Sequence, residues 1–168
     1  RRPHPRPPPR VGRGPRGAPV PTRVGHSFTT PGLARTGAVV GGAHAGHFYF
    51  REFWNADSGM LAALHTMAAL SGSSGTLSDL LSTYSPYVSS GEVNSTVDDQ
   101  AARVAAIKSE YADLEQDELD GLTVTSPEGW WFNVRASNTE PLLRLNVEAP
   151  DDATMTRIRD EVLAVIRA

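Results

Sequence analysis

The chain has 168 residues, about one domain of ordinary size with appendages, and 39% of them are hydrophobic, enough for a modest core. Its 16 Lys+Arg against 19 Asp+Glu give a formal charge of −3, yet residues 1–36 hold eight arginines and no acid, leaving 8 basic against 19 acidic residues in the remainder. The absence of cysteine excludes disulfides, thiolate nucleophiles and Cys-zinc sites, and the most apolar run, Met60 to Leu70, is broken by His65 and Thr66 and falls far short of the ~20 apolar residues of a spanning helix.

Residues 1–21 contain eight of the 13 prolines and almost nothing apolar. Burial cannot offset the entropy of ordering such a segment, so it is expected to be disordered. Acid-free arginine arms neutralise phosphates, but this one lacks the aromatic side chains on which single strands stack, and nucleic acid is not the expected partner. No apolar stretch near the start resembles a secretory signal, and the expected compartment is the cytoplasm. A membrane partner is not expected either.

From Ala38 the pattern turns globular. Ala38–Val40 before Gly41-Gly42 predicts a short buried strand, and His47–Phe50 another. Asp57 or Ser58 can cap a following helix in which Met60, Leu64 and Met67 recur at helical spacing, until Gly72 and a Ser/Gly cluster stop it. Residues 76–84 predict a shorter helix ended by Ser85-Pro86.

Residues 87–96 alternate weakly and predict a strand; Asp98 and Asp99 open a helix with Val104, Ile107 and Tyr111 on one face. The β-type runs 121–125 and 130–134, separated by Ser126-Pro127-Glu128-Gly129, predict a hairpin. Residues 142–147 make a further strand, and Asp151 caps a last helix striped by Met155, Ile158, Val162 and Val165. The order β-α-β-β-β-α is an α+β layer, a small antiparallel sheet with two helices on one face. Because neighbouring strand residues point to opposite faces, one of Trp130 and Trp131 should be core and the other partly exposed. Arg144 is read as a solvated strand residue.

Between the last two strands lies Arg135-Ala136-Ser137-Asn138-Thr139-Glu140-Pro141. A guanidinium holds two phosphate oxygens at once, and hydroxyls and loop N–H groups fill the remaining acceptor sites. The same residues are also the ordinary makings of a tight loop, and composition alone does not choose.

The string resembles the phosphate-binding loop of the α-D-phosphohexomutases, the phosphomannomutase/phosphoglucomutase superfamily. Upstream, Gly42-Ala43-His44-Ala45-Gly46-His47 is similar to that family's sugar-binding G-E-x-S-G-H loop, and Arg23-Val24-Gly25-His26-Ser27 to its K/R-x-G-H-S segment. Residues 53–61 (FWNADSGML) and 91–95 (GEVNS) resemble further family text, so the likeness covers about residues 22–168 in consistent order.

The resemblance implies a four-domain enzyme that moves a phosphoryl group within a hexose phosphate by way of a phosphoserine in its first domain. Mg²⁺, held by a D-G-D-x-D-R loop in the second domain, assists. Neither a T-A-S-H-N-P-like serine loop nor a D-G-D-x-D-R string occurs in the sequence. The chain therefore resembles the end of the third domain, residues 22–86, an incomplete α/β remnant, followed by the fourth, residues 87–168, which in the family has a TATA-box-binding-protein-like fold. The substrate implied is mannose or glucose phosphate, bound by Arg135, Ser137, Asn138 and Thr139, with His47 and His26 matching family active-site histidines. Ala43 and Ala45 replace the family glutamate and serine, removing two hydrogen-bonding partners for sugar hydroxyls. The expected function is that of a truncated phosphomannomutase/phosphoglucomutase, inactive alone; the alternative is a non-catalytic phosphosugar-binding or partner-binding module.

Overall fold

A computed structural model of the chain describes residues 19–43, 46–82, 85, 87–137 and 140–168. The expectation of disorder over residues 1–21 falls largely outside these. The chain divides into two compact units, Gly12–Tyr84 and one built on Ser85–Ala168.

The first unit comprises α1 (His26–Thr36), β1 (Val40–Gly42), β2 (Phe48–Phe50), β3 (Ala56–Asp57), α2 (Gly59–Ser71) and α3 (Leu77–Ser82). The three strands form an antiparallel sheet in the order β1-β2-β3. Helix α1 has no counterpart in the sequence reading, because Pro31 and Gly32 interrupt it. A proline in a helix interior costs about 3 kcal/mol through its missing N–H and a ring clash. Tertiary packing overrides that cost: Thr29 and Leu33, one turn apart, are buried. They lie against Gly41, where an added Cβ would sit 2.8 Å from Leu33 Cδ1 and 3.2 Å from Thr29 Cγ2. Only glycine permits a strand to approach a helix so closely.

Strands β2 and β3 are joined by the loop 51–55, which turns first where Phe53 N–H donates to Phe50 C=O at 3.0 Å and again in a turn where Ala56 N–H donates to Phe53 C=O at 2.8 Å. The central residues of this second turn, Trp54 and Asn55, have φ of 54° and 55°. Two successive residues of positive φ are the pattern of a type I′ turn, here the second half of the loop. The turn fixes the register that sets Asp57 opposite Tyr49. Ser58, not Asp57, caps α2, its Oγ accepting from Leu61 N–H at 3.2 Å.

The second unit contains β4 (Val88–Ser89), β5 (Val93–Thr96), α4 (Gln100–Glu110), β6 (Glu115–Asp117), β7 (Leu122–Thr125), β8 (Trp131–Ala136), β9 (Leu142–Ala149) and α5 (Asp152–Arg167). The sheet is antiparallel, in the order β4-β9-β8-β7-β6, with β5 also on β9. The strand expected over residues 87–96 is two strands, interrupted where Gly91 adopts φ 65°. Strand β6 is an addition: Glu-Gln-Asp has no apolar alternation, and only pairing with β7 makes it a strand.

Alternation decides which face is covered. Phe132, Val134, Leu143, Leu145 and Val147 are fully buried, and they meet Ile107 of α4 and Met155, Ile158, Val162 and Ile166 of α5 in one core. Each such side chain removed from water contributes about 1.5–3 kcal/mol. Trp130 is buried and Trp131 half-buried, and the Trp130 and Phe132 rings stack with centroids 6.3 Å apart. The opposite face, carrying Thr123, Asn133, Arg135, Arg144 and Asn146, is polar and half-exposed. Arg144 is less solvated than expected of it: its Nε is buried without a partner among the described residues.

Candidate functional site

Two candidate sites emerge, one in each unit. In the first unit, α1 begins at His26, and β2 follows directly on His47. Strand alternation puts His47 and Tyr49 on one side. Tyr49 is 1% exposed, and its Oη and His26 Nδ1 are 2.9 Å apart. His47 Nδ1 lies 2.6 Å from Asp57 Oδ2, while Asp57 Oδ1 accepts from Phe48 N–H at 2.8 Å. The His26 and His47 rings meet edge to face, with centroids 4.7 Å apart.

The electrostatics follow from these bonds. The hydrogen bond with His47, then the one from Phe48 N–H, holds the Asp57 carboxyl below its ordinary value of 3.8. Burial first, and then the Asp57 charge, pushes the Tyr49 phenol above its ordinary value of 10.0, against a smaller opposing effect of a hydrogen bond with Thr29. Ligand atoms of His26, His47 and Asp57 lie within 4.8 Å of one another. Two imidazoles and one carboxylate are the donors of zinc-type ions rather than of Mg²⁺, which takes oxygen. In the sequence His26 and His47 stand out through their family segments, whereas Asp57 has the look of a helix cap and Tyr49 of a strand aromatic. The available signal was the HxY spacing on one strand with an acid just beyond a turn.

In the second unit, Arg135 lies near the end of β8 and pairs with Asp120 Oδ2 at 3.2 Å; their side chains are 31% and 26% exposed. Asp120 is held in turn by Asn133, whose Nδ2 donates to the Asp120 carbonyl at 2.9 Å and to Thr123 Oγ1 at 3.0 Å. Beyond Arg135 the loop is pinned at both ends. Ser137 N–H donates to Leu142 C=O at 2.9 Å, and Gln100 Nε2 at the start of α4 donates to the carbonyls of Glu140 and Leu142 at 3.0 and 2.9 Å. Asn138 and Thr139 lie outside the described residues, as do His44 and Ala45 of the upstream loop. Asp120 and Gln100 escaped the sequence reading because each reaches the loop only through the fold.

Residues 10–87 match the phosphoglucomutase/phosphomannomutase alpha/beta/alpha domain III, and residues 92–165 the phosphoglucomutase/phosphomannomutase C-terminal domain. A phosphomannomutase of Methanocaldococcus jannaschii is 38% identical over 150 residues, covering 89% of this chain and 33% of that protein. A phosphohexose mutase of Xanthomonas campestris is 41% identical over 151 residues, 88% of this chain and 34% of that protein. Among solved structures, a phosphoglucomutase/phosphomannomutase family protein of Burkholderia thailandensis superposes with a TM-score of 0.70 at 27% identity, over 87% of this chain and 31% of that one. The chain thus spans about a third of the length of these relatives. Two family domains matched in succession, with relatives alike across both, show that the chain belongs to the phosphoglucomutase/phosphomannomutase family, of which it carries C-terminal sequence.

Proposed function

We propose that the chain supplies the sugar- and phosphate-binding end of a hexose-phosphate mutase, with residues 22–86 serving the sugar and residues 87–168 the phosphate. The observation that carries this reading is the loop after Arg135, whose backbone is pinned by Gln100 and Leu142 within the matched C-terminal domain. Arg135 is the bidentate clamp, and Ser137, Asn138 and Thr139 fill the other phosphate oxygens. A phosphate must compete there with the Asp120 carboxylate. His47, assisted by His26, is the group that takes the proton from the reacting hydroxyl, since a ring nitrogen bearing a lone pair can act as a general base.

Mg²⁺ is the family's metal, but the residues here do not fit it. Among the described residues the clustered metal-type donors are two imidazoles and one carboxylate, and no D-G-D-x-D-R string is present. By the same logic, these 168 residues alone give no mutase turnover, because they contain no phosphoryl-carrying serine loop. The second reading, a phosphosugar-binding module without catalysis, is favoured by Ala43, a methyl group where the family presents a hydrogen-bonding carboxylate. No helix of the described residues is long and apolar enough to cross a membrane, and action on hexose phosphates fits the cytoplasm.

The test is an NMR titration of the chain with inorganic phosphate and with mannose 1-phosphate. Saturable shifts should appear in the amides of residues 135–140, and Arg135→Lys should lose most of the response, because an ammonium cannot reproduce the planar two-donor fork. A diffuse response spread over the other arginines and equal in Arg135→Lys would refute the phosphate site.

A further inference from the structure

We infer that Asp57 and Tyr49 are positioning residues that hold His47 and His26 in opposite tautomers, so that the pair offers one bare Nε2 and one Nε2–H to a single ligand hydroxyl. The use of that hydroxyl rests on the hexose-phosphate reading; the tautomers do not.

The argument for His47 begins at Asp57. An ionised carboxylate only accepts, and this one is kept ionised by the bonds it receives from His47 and Phe48 N–H. The proton in the 2.6 Å contact therefore belongs to His47 Nδ1. A neutral imidazole carries one N–H, so its Nε2 bears a lone pair and can accept.

For His26 the argument begins at Tyr49. Its phenol is buried and stays protonated, and a buried hydroxyl places its proton on an acceptor. Among the described residues, the acceptor within hydrogen-bond distance of the phenol oxygen is the His26 ring nitrogen. The Tyr49 proton accordingly goes to His26 Nδ1, 2.9 Å away, and His26 carries its own proton on Nε2. A sugar hydroxyl needs both a proton acceptor and a donor, and two rings 4.7 Å apart supply one of each. When the hydroxyl proton passes to His47 Nε2, the bonding pair stays on oxygen, which His26 Nε2–H stabilises, and Asp57 faces the new imidazolium.

The experiment is a long-range ¹H–¹⁵N correlation of the uniformly ¹⁵N-labelled chain at about pH 8, where ordinary imidazoles are neutral. His47 should show the Nδ1–H pattern and His26 the Nε2–H pattern. Asp57→Asn should reverse His47 alone: its oxygen still accepts from Phe48 N–H, while its NH₂ donates to Nδ1 and forces the proton to Nε2. His47 found as Nε2–H in the unaltered chain, or unmoved by Asp57→Asn, overturns the role of Asp57. His26 found as Nδ1–H overturns that of Tyr49. Should Asp57→Asn not fold, the spectrum of the unaltered chain still decides. Loss of the phosphate response at Arg135 with both tautomers intact would refute the proposed function and leave this inference standing.

Discussion

Gly121 sits so close to Val134 that a Cβ on it would lie 2.5 Å from the Val134 carbonyl oxygen and 3.1 Å from the Arg135 Cα, and its φ is 75°. The obstacle is backbone, which cannot rotate aside, and the left-handed conformation itself disfavours a side chain. Gly121→Ala should cost about 3 kcal/mol and displace Arg135 from Asp120. Urea unfolding reads the first effect and the Arg135 amide shift the second; an unchanged unfolding midpoint would contradict the close approach.

Phe132 and Trp131 are neighbours on opposite faces of β8. Phe132 is 0% exposed, with the Tyr111 ring edge-on at 5.0 Å. Phe132→Ala should therefore destabilise by about 3–5 kcal/mol through lost burial and the cavity left behind. Trp131→Ala, on the polar face, should cost clearly less despite removing more atoms. Equal losses in denaturant titrations would mean that the alternation has been misread.

Trp54 holds a left-handed conformation at 82% exposure. The aromatic side chain gains little there beyond its contact with Phe53, while the backbone bears a steric penalty of about 1–2 kcal/mol that glycine avoids. Greater freedom of glycine in the unfolded chain offsets part of this. Trp54→Gly should raise the stability of the first unit by about 0.5–1 kcal/mol. A lowered melting temperature would show that the ring carries packing that its exposure conceals.

Asp57 should make the first unit acid-sensitive. Its carboxyl is held below 3.8 in the folded chain, chiefly by the hydrogen bond with His47. A depressed folded pKa means the unfolded state binds protons more readily, so the contribution is complete above 3.8 and disappears as pH falls through the folded value. The stability gap between the unaltered chain and Asp57→Asn should be constant near neutrality and shrink below about pH 4. A gap that instead widens on acidification would reverse the sign of the linkage. Asp79 is likewise depressed in this unit, by its bonds with Thr76, and the comparison with Asp57→Asn cancels its effect.

The sequence by itself determined the elements whose signal is periodic. Alternation across residues 122–149 specified β7, β8 and β9 and the face they bury, and the apolar stripe of α5 specified its seat on them, because burial rewards a repeat that a short window can display. The loop motifs likewise carried the family through residue types that local chemistry makes recognisable. Only the tertiary structure decided the rest. Helix α1 survives Pro31 because Gly41 receives Leu33 and Thr29, and β6 is a strand because β7 is beside it. Asp57 looks like a helix cap until the turn at Trp54-Asn55 sets it opposite Tyr49, and Asp120 meets Arg135 across fifteen residues. Hydrogen bonds and ion pairs act over a few ångströms of space, and which side chains come that close depends on the path of the whole chain, which no local window contains.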